Sequence, residues 1–131
     1  MTNIDFDVLR FYPLLWDEFV RRYSGSIQPT VIWKKIVAPH VGLTILAPGQ
    51  SIDLVWYKGG DWRDGEPRHV RPGKAKALIR IPAVKVKRKL IALDGCHRLT
   101  QLRPQIVLVD WFSPRHQDRV YINDLFNRHH A

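Results

Sequence analysis

The run Ile106-Val107-Leu108-Val109-Asp110-Trp111-Phe112 constrains this chain more than any other segment. A stretch this continuously apolar predicts a strand covered on both faces, not an alternating strand with one wet side. A second strand is expected over Lys89–Leu93, about a dozen residues upstream. That gap accommodates a helical crossover, so the pair is expected to form a parallel, right-handed βαβ unit. The crossover would turn at Asp94-Gly95, run as a short helix over Cys96–Leu102 with Leu99 and Leu102 inward, and stop at Pro104.

Other segments supply covering layers. Leu15, Trp16, Phe19, Val20 and Tyr23 fall on one helical face, with Pro13 suited to the first turn and Ser24-Gly25-Ser26 ending the helix. Val31–Val37, Leu43–Leu46 and Ile52–Tyr57 read as strands, with a turn at Pro48-Gly49 and with Trp33, Trp56 and Tyr57 in the core. Ala77–Val86 alternates around Ile79, Ile81, Val84 and Val86 but contains Pro82, which predicts a bend or an edge position. Lys58–Gly73 is a long irregular loop in which Trp62 either anchors onto the body or offers a stacking surface for a base. A final helix capped by Asn123 is expected from Ile122, burying Leu125 and Phe126. The expected architecture is α/β (α+β): one domain over residues 1–131, built on a mixed sheet.

Charge and cysteine content narrow the function classes. The 131 residues carry a net charge of +9 and a single cysteine, Cys96. A lone cysteine allows no intrachain disulfide and suits a reducing, cytoplasmic setting. The first residues, Met1 to Asp7, are acidic where a secretory leader is basic, and no apolar run reaches the ~20 residues of a membrane span. Between Pro67 and Leu93 lie nine basic residues and no acid. Such a stripe suits a polyanion, with Arg80, Lys85, Lys87, Arg88 and Lys89 as candidate contacts to nucleic-acid phosphates. The alternative is a solvated face that serves solubility. His40, His69 and His116 are scattered without ligand spacing, His129-His130 ends the chain, and no structural metal is expected.

Chemistry concentrates at Leu93-Asp94-Gly95-Cys96-His97-Arg98-Leu99. Gly95 permits a tight turn and a close backbone approach. The residues after it would bring backbone N–H groups and a helix start to one point, with the basic side chains of His97 and Arg98 beside them, which makes a phosphate cradle. Arg98 can hold a phosphate through two parallel hydrogen bonds. Cys96 is either a nucleophile with a favoured thiolate or a small residue that shapes the turn. Asp94 either orients an attacking water, holds Mg²⁺, or bonds the amides of its own turn.

Gly95-Cys96-His97-Arg98 matches the sulfiredoxin signature, and the wider Leu90–Phe112 block resembles the ParB/sulfiredoxin superfamily. The wording Leu-Asp-Gly-Cys-His-Arg-Leu-Thr-Gln-Leu-Arg-Pro, followed by Ile-Val-Leu-Val-Asp-Trp, most resembles the plasmid fertility-inhibition (oncogenic-suppression) factors. That resemblance implies a nucleotide pocket at the turn, ATP hydrolysis and DNA cleavage, and a block on conjugative DNA transfer through a type IV secretion component. It carries over Gly95, Cys96, His97 and Arg98 as phosphate-contacting or catalytic residues, with Asp94 as the acidic lead-in. Sulfiredoxins have a second glycine where this chain has Asp94. The doubled arginine of partition ParB proteins is His97-Arg98 here, and no helix-turn-helix follows. Two alternatives to the hydrolase remain: a non-catalytic module that binds DNA or a transfer protein, and a sulfiredoxin-like thiol enzyme acting through Cys96.

Overall fold

A computed structural model describes residues 11–27, 30–37, 39–54, 68–95 and 98–121. Its strands are β1 (His40–Ile45), β2 (Ile52–Leu54), β3 (Arg68–Val70), β4 (Ala75–Val86), β5 (Lys89–Ala92) and β6 (Pro104–Ser113). They form one mixed sheet in the order β1-β6-β4-β5-β2-β3. Helices α1 (Trp16–Ile27) and α2 (Thr30–Lys34) precede the sheet, a π-helical turn spans Arg98–Leu102, and a 3-10 turn spans His116–Asp118. The result is a mixed α/β domain with few helices.

The period of two along β4 and β6 sorts the core into two layers. Ile79, Ile81 and Ala83 of β4 pack with Val107, Val109 and Trp111 of β6, together with Leu99 of the π turn. Val84 and Phe112 lie on the opposite face, under Phe19 and Tyr23 of α1 and Trp33 of α2. Four of these rings form an aromatic cluster: Phe19 and Phe112 pack edge to face at 5.4 Å, and Trp33 lies 5.6 Å from Phe19. With Trp16 stacked on Phe19, this face holds the largest apolar surfaces in the core. Glu18 reaches back to accept the Leu15 N–H at 3.0 Å, half of a capping box that starts α1.

β6 is the doubly covered interior strand that its composition predicts, with Val107 through Phe112 buried. Its parallel partner, however, is β4 and not β5, in register from Leu78↔Ile106 to Val84↔Phe112. β5 runs antiparallel to β4 (Val86↔Lys89 to Ala83↔Ala92), so it is also antiparallel to β6, and the expected βαβ pair does not exist. The twelve residues of β4 offer β6 a longer apolar edge than the four of β5, and the π turn therefore passes over β4. Pro82 does not push β4 to an edge: the strand runs through it, paired with β5 on one side and β6 on the other. The Pro82 carbonyl accepts the Leu93 N–H at 2.9 Å, and burial of Ile81, Ala83 and Val84 outweighs the one ladder bond the proline omits.

Three other expectations change. Val31–Val37 is not a strand: Trp33 and Ile36 are the buried pair, at helical spacing, while Val31 and Val37 are exposed. α1 begins after Pro13 and runs through Gly25 to Ile27, because the buried stripe from Phe19 to Ser24 outweighs one poor helix former. Leu102 is exposed, and only Leu99 of the π turn faces inward. β3 falls inside the segment expected to be irregular. Trp56, Tyr57, Trp62 and the tail from Ile122 lie outside the described residues.

Candidate functional site

The Asp94-Gly95 turn follows β5 directly and is pressed onto the sheet. Gly95 has φ +86°, and a Cβ there would stand 2.5 Å from Ile81 Cγ2, so only glycine fits. The Asp94 carboxylate accepts the Gly95 N–H at 2.8 Å, which is the turn-bonding role among those expected for it. Gly95 O then accepts the Leu99 N–H at 3.0 Å, closing the chain into the π turn, and buried Leu99 pins that turn to the sheet.

Arg98 is exposed, and its Nη2 lies 3.3 Å from the place a Gly95 Cβ would occupy. The missing side chain at residue 95 therefore makes room for a guanidinium folded back over the turn. The structure thus brings Asp94, Gly95 and Arg98 together. Cys96 and His97 lie outside the described residues. Five residues of π helix align few peptide dipoles, so the helix start adds little positive field and the charge beside the turn is that of Arg98.

The basic stripe is divided by the fold. Arg80 is withdrawn from it: the side chain is fully buried and pairs side-on with Asp110 through Nε and Nη2, both at 2.7 Å. Tyr23 donates to the same carboxylate at 2.5 Å. Burial first, and then the Asp110 charge, push the Tyr23 hydroxyl above its ordinary range, so it stays a donor. Arg80 sits four residues before Val84, on the α1 side of a central strand, and a charge there needs a buried partner and not a solvent-borne phosphate. Lys85 is half-buried with its ammonium 4.4 Å from the Trp111 ring centre. Lys87, Arg88 and Lys89 remain exposed at the β4–β5 hairpin.

Lys74, Lys76 and Arg103 are exposed at the far end of β4. Lys74 and Arg103 line a cleft of about 450 Å³. Gly73 builds this end by close approach: its N–H donates to Pro104 O at 2.8 Å, and a Cβ would collide with the Arg103 backbone. Arg103 was not among the expected contacts. Its position just before Pro104, at the other end of the π turn from Arg98, is the signal in the sequence, and its φ of +53° marks the left-handed stop of that turn. The exposed cations of the stripe thus lie toward the two ends of β4, with Arg103 beside Lys74 at one of them.

Among the described residues no three His, Cys, Asp or Glu side chains assemble as a metal site, and no helix is long and apolar enough to cross a membrane. No family model, curated protein or solved structure matches the chain.

Proposed function

We propose that this chain is a cytoplasmic, fertility-inhibition-like protein with a ParB/sulfiredoxin-type fold. It would bind ATP and act as a DNA-directed phosphohydrolase that blocks conjugative transfer at a type IV secretion component. The observation that supports this reading is the guanidinium of Arg98 folded over a turn where only glycine fits. In this reading Arg98 and His97 stabilise charge developing on a phosphoryl group, and Gly95 lets the phosphate approach the backbone. Cys96 shapes the turn, and Lys74 and Arg103 steady neighbouring DNA phosphates. Asp94 offers one carboxylate beside the turn, which accepts the Gly95 N–H. That fits Mg²⁺ where substrate phosphates supply the remaining ligands, and the ion would supply charge neutralisation there.

Labelled ATP and plasmid DNA, incubated with and without Mg²⁺, test the reading. Wild type should release phosphate and nick the plasmid, and Arg98→Ala should weaken ATP binding by about 1–3 kcal/mol in calorimetry. Cys96→Ser should keep much of the activity. DNA that is bound but left intact under all conditions assigns the chain to a non-catalytic binding module instead.

A further inference from the structure

Asp53 and His69 stand directly opposite each other in the antiparallel pair β2–β3. The Asp53 carboxylate accepts the His69 Nδ1–H, and the two side chains are 10% and 62% exposed respectively. A carboxylate only accepts hydrogen bonds, so it fixes the tautomer of the neutral ring: Nδ1 carries the proton and Nε2 carries the lone pair. A buried carboxylate orienting an accessible imidazole is the arrangement of a proton acceptor.

Two cations share the space beside this pair. A cleft of about 430 Å³ is lined by Asp53, His69, Arg88, Lys89 and Ser51. The parallel register Asp53↔Ile91 accounts for the meeting, because it sets the hairpin end of β5 beside the start of β2. The sequence hides it: Asp53 and His69 are sixteen residues apart, with a segment outside the described residues between them. With a neutral imidazole, Arg88 and Lys89 against Asp53 leave one net positive charge, which matches the monoanion of a phosphodiester.

We propose that this cleft is a second phosphoester site, separate from the Asp94-Gly95 turn, in which His69 activates water against a phosphodiester held by Arg88 and Lys89. The water oxygen forms a bond to phosphorus as the bond to the leaving oxygen breaks, and that oxygen departs with the electron pair. The water proton passes to Nε2 of His69, and the imidazolium returns a proton to the leaving oxygen. The products are a phosphomonoester and an alcohol, with no change in oxidation state and water as the only co-reactant. Asp53 is a positioning residue that acts through His69.

The probe is bis(p-nitrophenyl) phosphate, with the full chain, in the presence of a chelator. Wild type should release p-nitrophenol, and His69→Ala should lower kcat about 100-fold with KM little changed. Added imidazole should restore part of that loss. Asp53→Asn should lower kcat in a protein whose circular dichroism is unchanged, and Arg88→Gln with Lys89→Gln should raise KM. No turnover by wild type overturns the proposal, as does wild-type turnover by folded His69→Ala. The loss of ATP affinity in Arg98→Ala, measured in parallel by calorimetry, reports on the Asp94-Gly95 turn, so either site can fail without the other.

Discussion

Arg80, Asp110 and Tyr23 form a buried polar group at the centre of an otherwise aromatic layer. Both charged side chains are wholly removed from water: Asp110 accepts from Arg80 and from the Tyr23 hydroxyl, and Arg80 also donates to the Tyr12 carbonyl oxygen. Such a pair contributes little net stability against a well-packed apolar replacement, but losing one member strands the other. Arg80→Met should therefore cost about 3–5 kcal/mol in urea denaturation. Adding Asp110→Leu should recover part of the loss, because no buried charge is then left alone. A single Arg80→Met variant as stable as wild type would show that water reaches this layer. The same geometry means that Arg80 is unsuitable for testing nucleic-acid contact, since its removal reads out as unfolding. Nothing in the alternation of Ala77–Val86 distinguished Arg80 from the exposed cations around it. The acid it needed lay on another strand, thirty residues on.

At the scale of elements, the 3-10 turn after β6 ties the sheet to the segment leaving α2. Asp118 accepts the Val37 N–H at 3.2 Å and binds the guanidinium of Arg115 at 2.9 Å. The Arg115 hydrogen bond chiefly, helped by the Val37 N–H, holds the Asp118 carboxyl below its ordinary value of 3.8. A lowered folded-state value means that the native state binds the proton more weakly than the unfolded chain does. The stabilisation is therefore complete above pH 3.8 and is lost as pH falls below it toward the folded-state value. Thermal melts of wild type and Asp118→Asn should differ by a constant margin at neutral pH and converge in acid. A gap that stays constant down to acid unfolding would remove this carboxylate from the linkage. No local pattern hints at the tie, because the spacing puts Val37 at the end of a strand and leaves Asp118 in an unassigned stretch. By contrast, α1, the turn at Pro48-Gly49 and the apolar core of β6 were visible in the spacing of a few adjacent residues.

For the whole molecule, the division of charge decides how a polyanion can lie. Lys87, Arg88 and Lys89 occupy one end of the sheet, while Lys74, Lys76 and Arg103 occupy the other. A duplex that reaches both ends should lose salt dependence in two separable steps. Replacing each triplet with glutamine should flatten the log–log salt slope of DNA binding by about 2 to 3 units, and the two losses should add. A slope unaffected by one replacement but flattened by the other assigns DNA to that other end, and a slope unaffected by both removes DNA from these two clusters. The measurement excludes Arg80 and gives Lys85, already seated over Trp111, a smaller share.

The sequence by itself determined the local features: an amphipathic first helix, strands of period two, an interior apolar β6, and a turn where a glycine is required. These follow from side-chain size and spacing, which act over a few residues. Tertiary structure decided which strands became neighbours, and with that the outcome for every charge. Once the Lys87-Arg88 hairpin folded β5 back on β4, β4 took the place beside β6 that the spacing had assigned to β5. The same step carried Arg80 under α1 against Asp110 and brought Arg88 and Lys89 to the cleft of Asp53 and His69. Strand pairing is set by the total apolar area that the whole sheet can cover and by the length of edge each strand offers. Neither quantity belongs to any one segment.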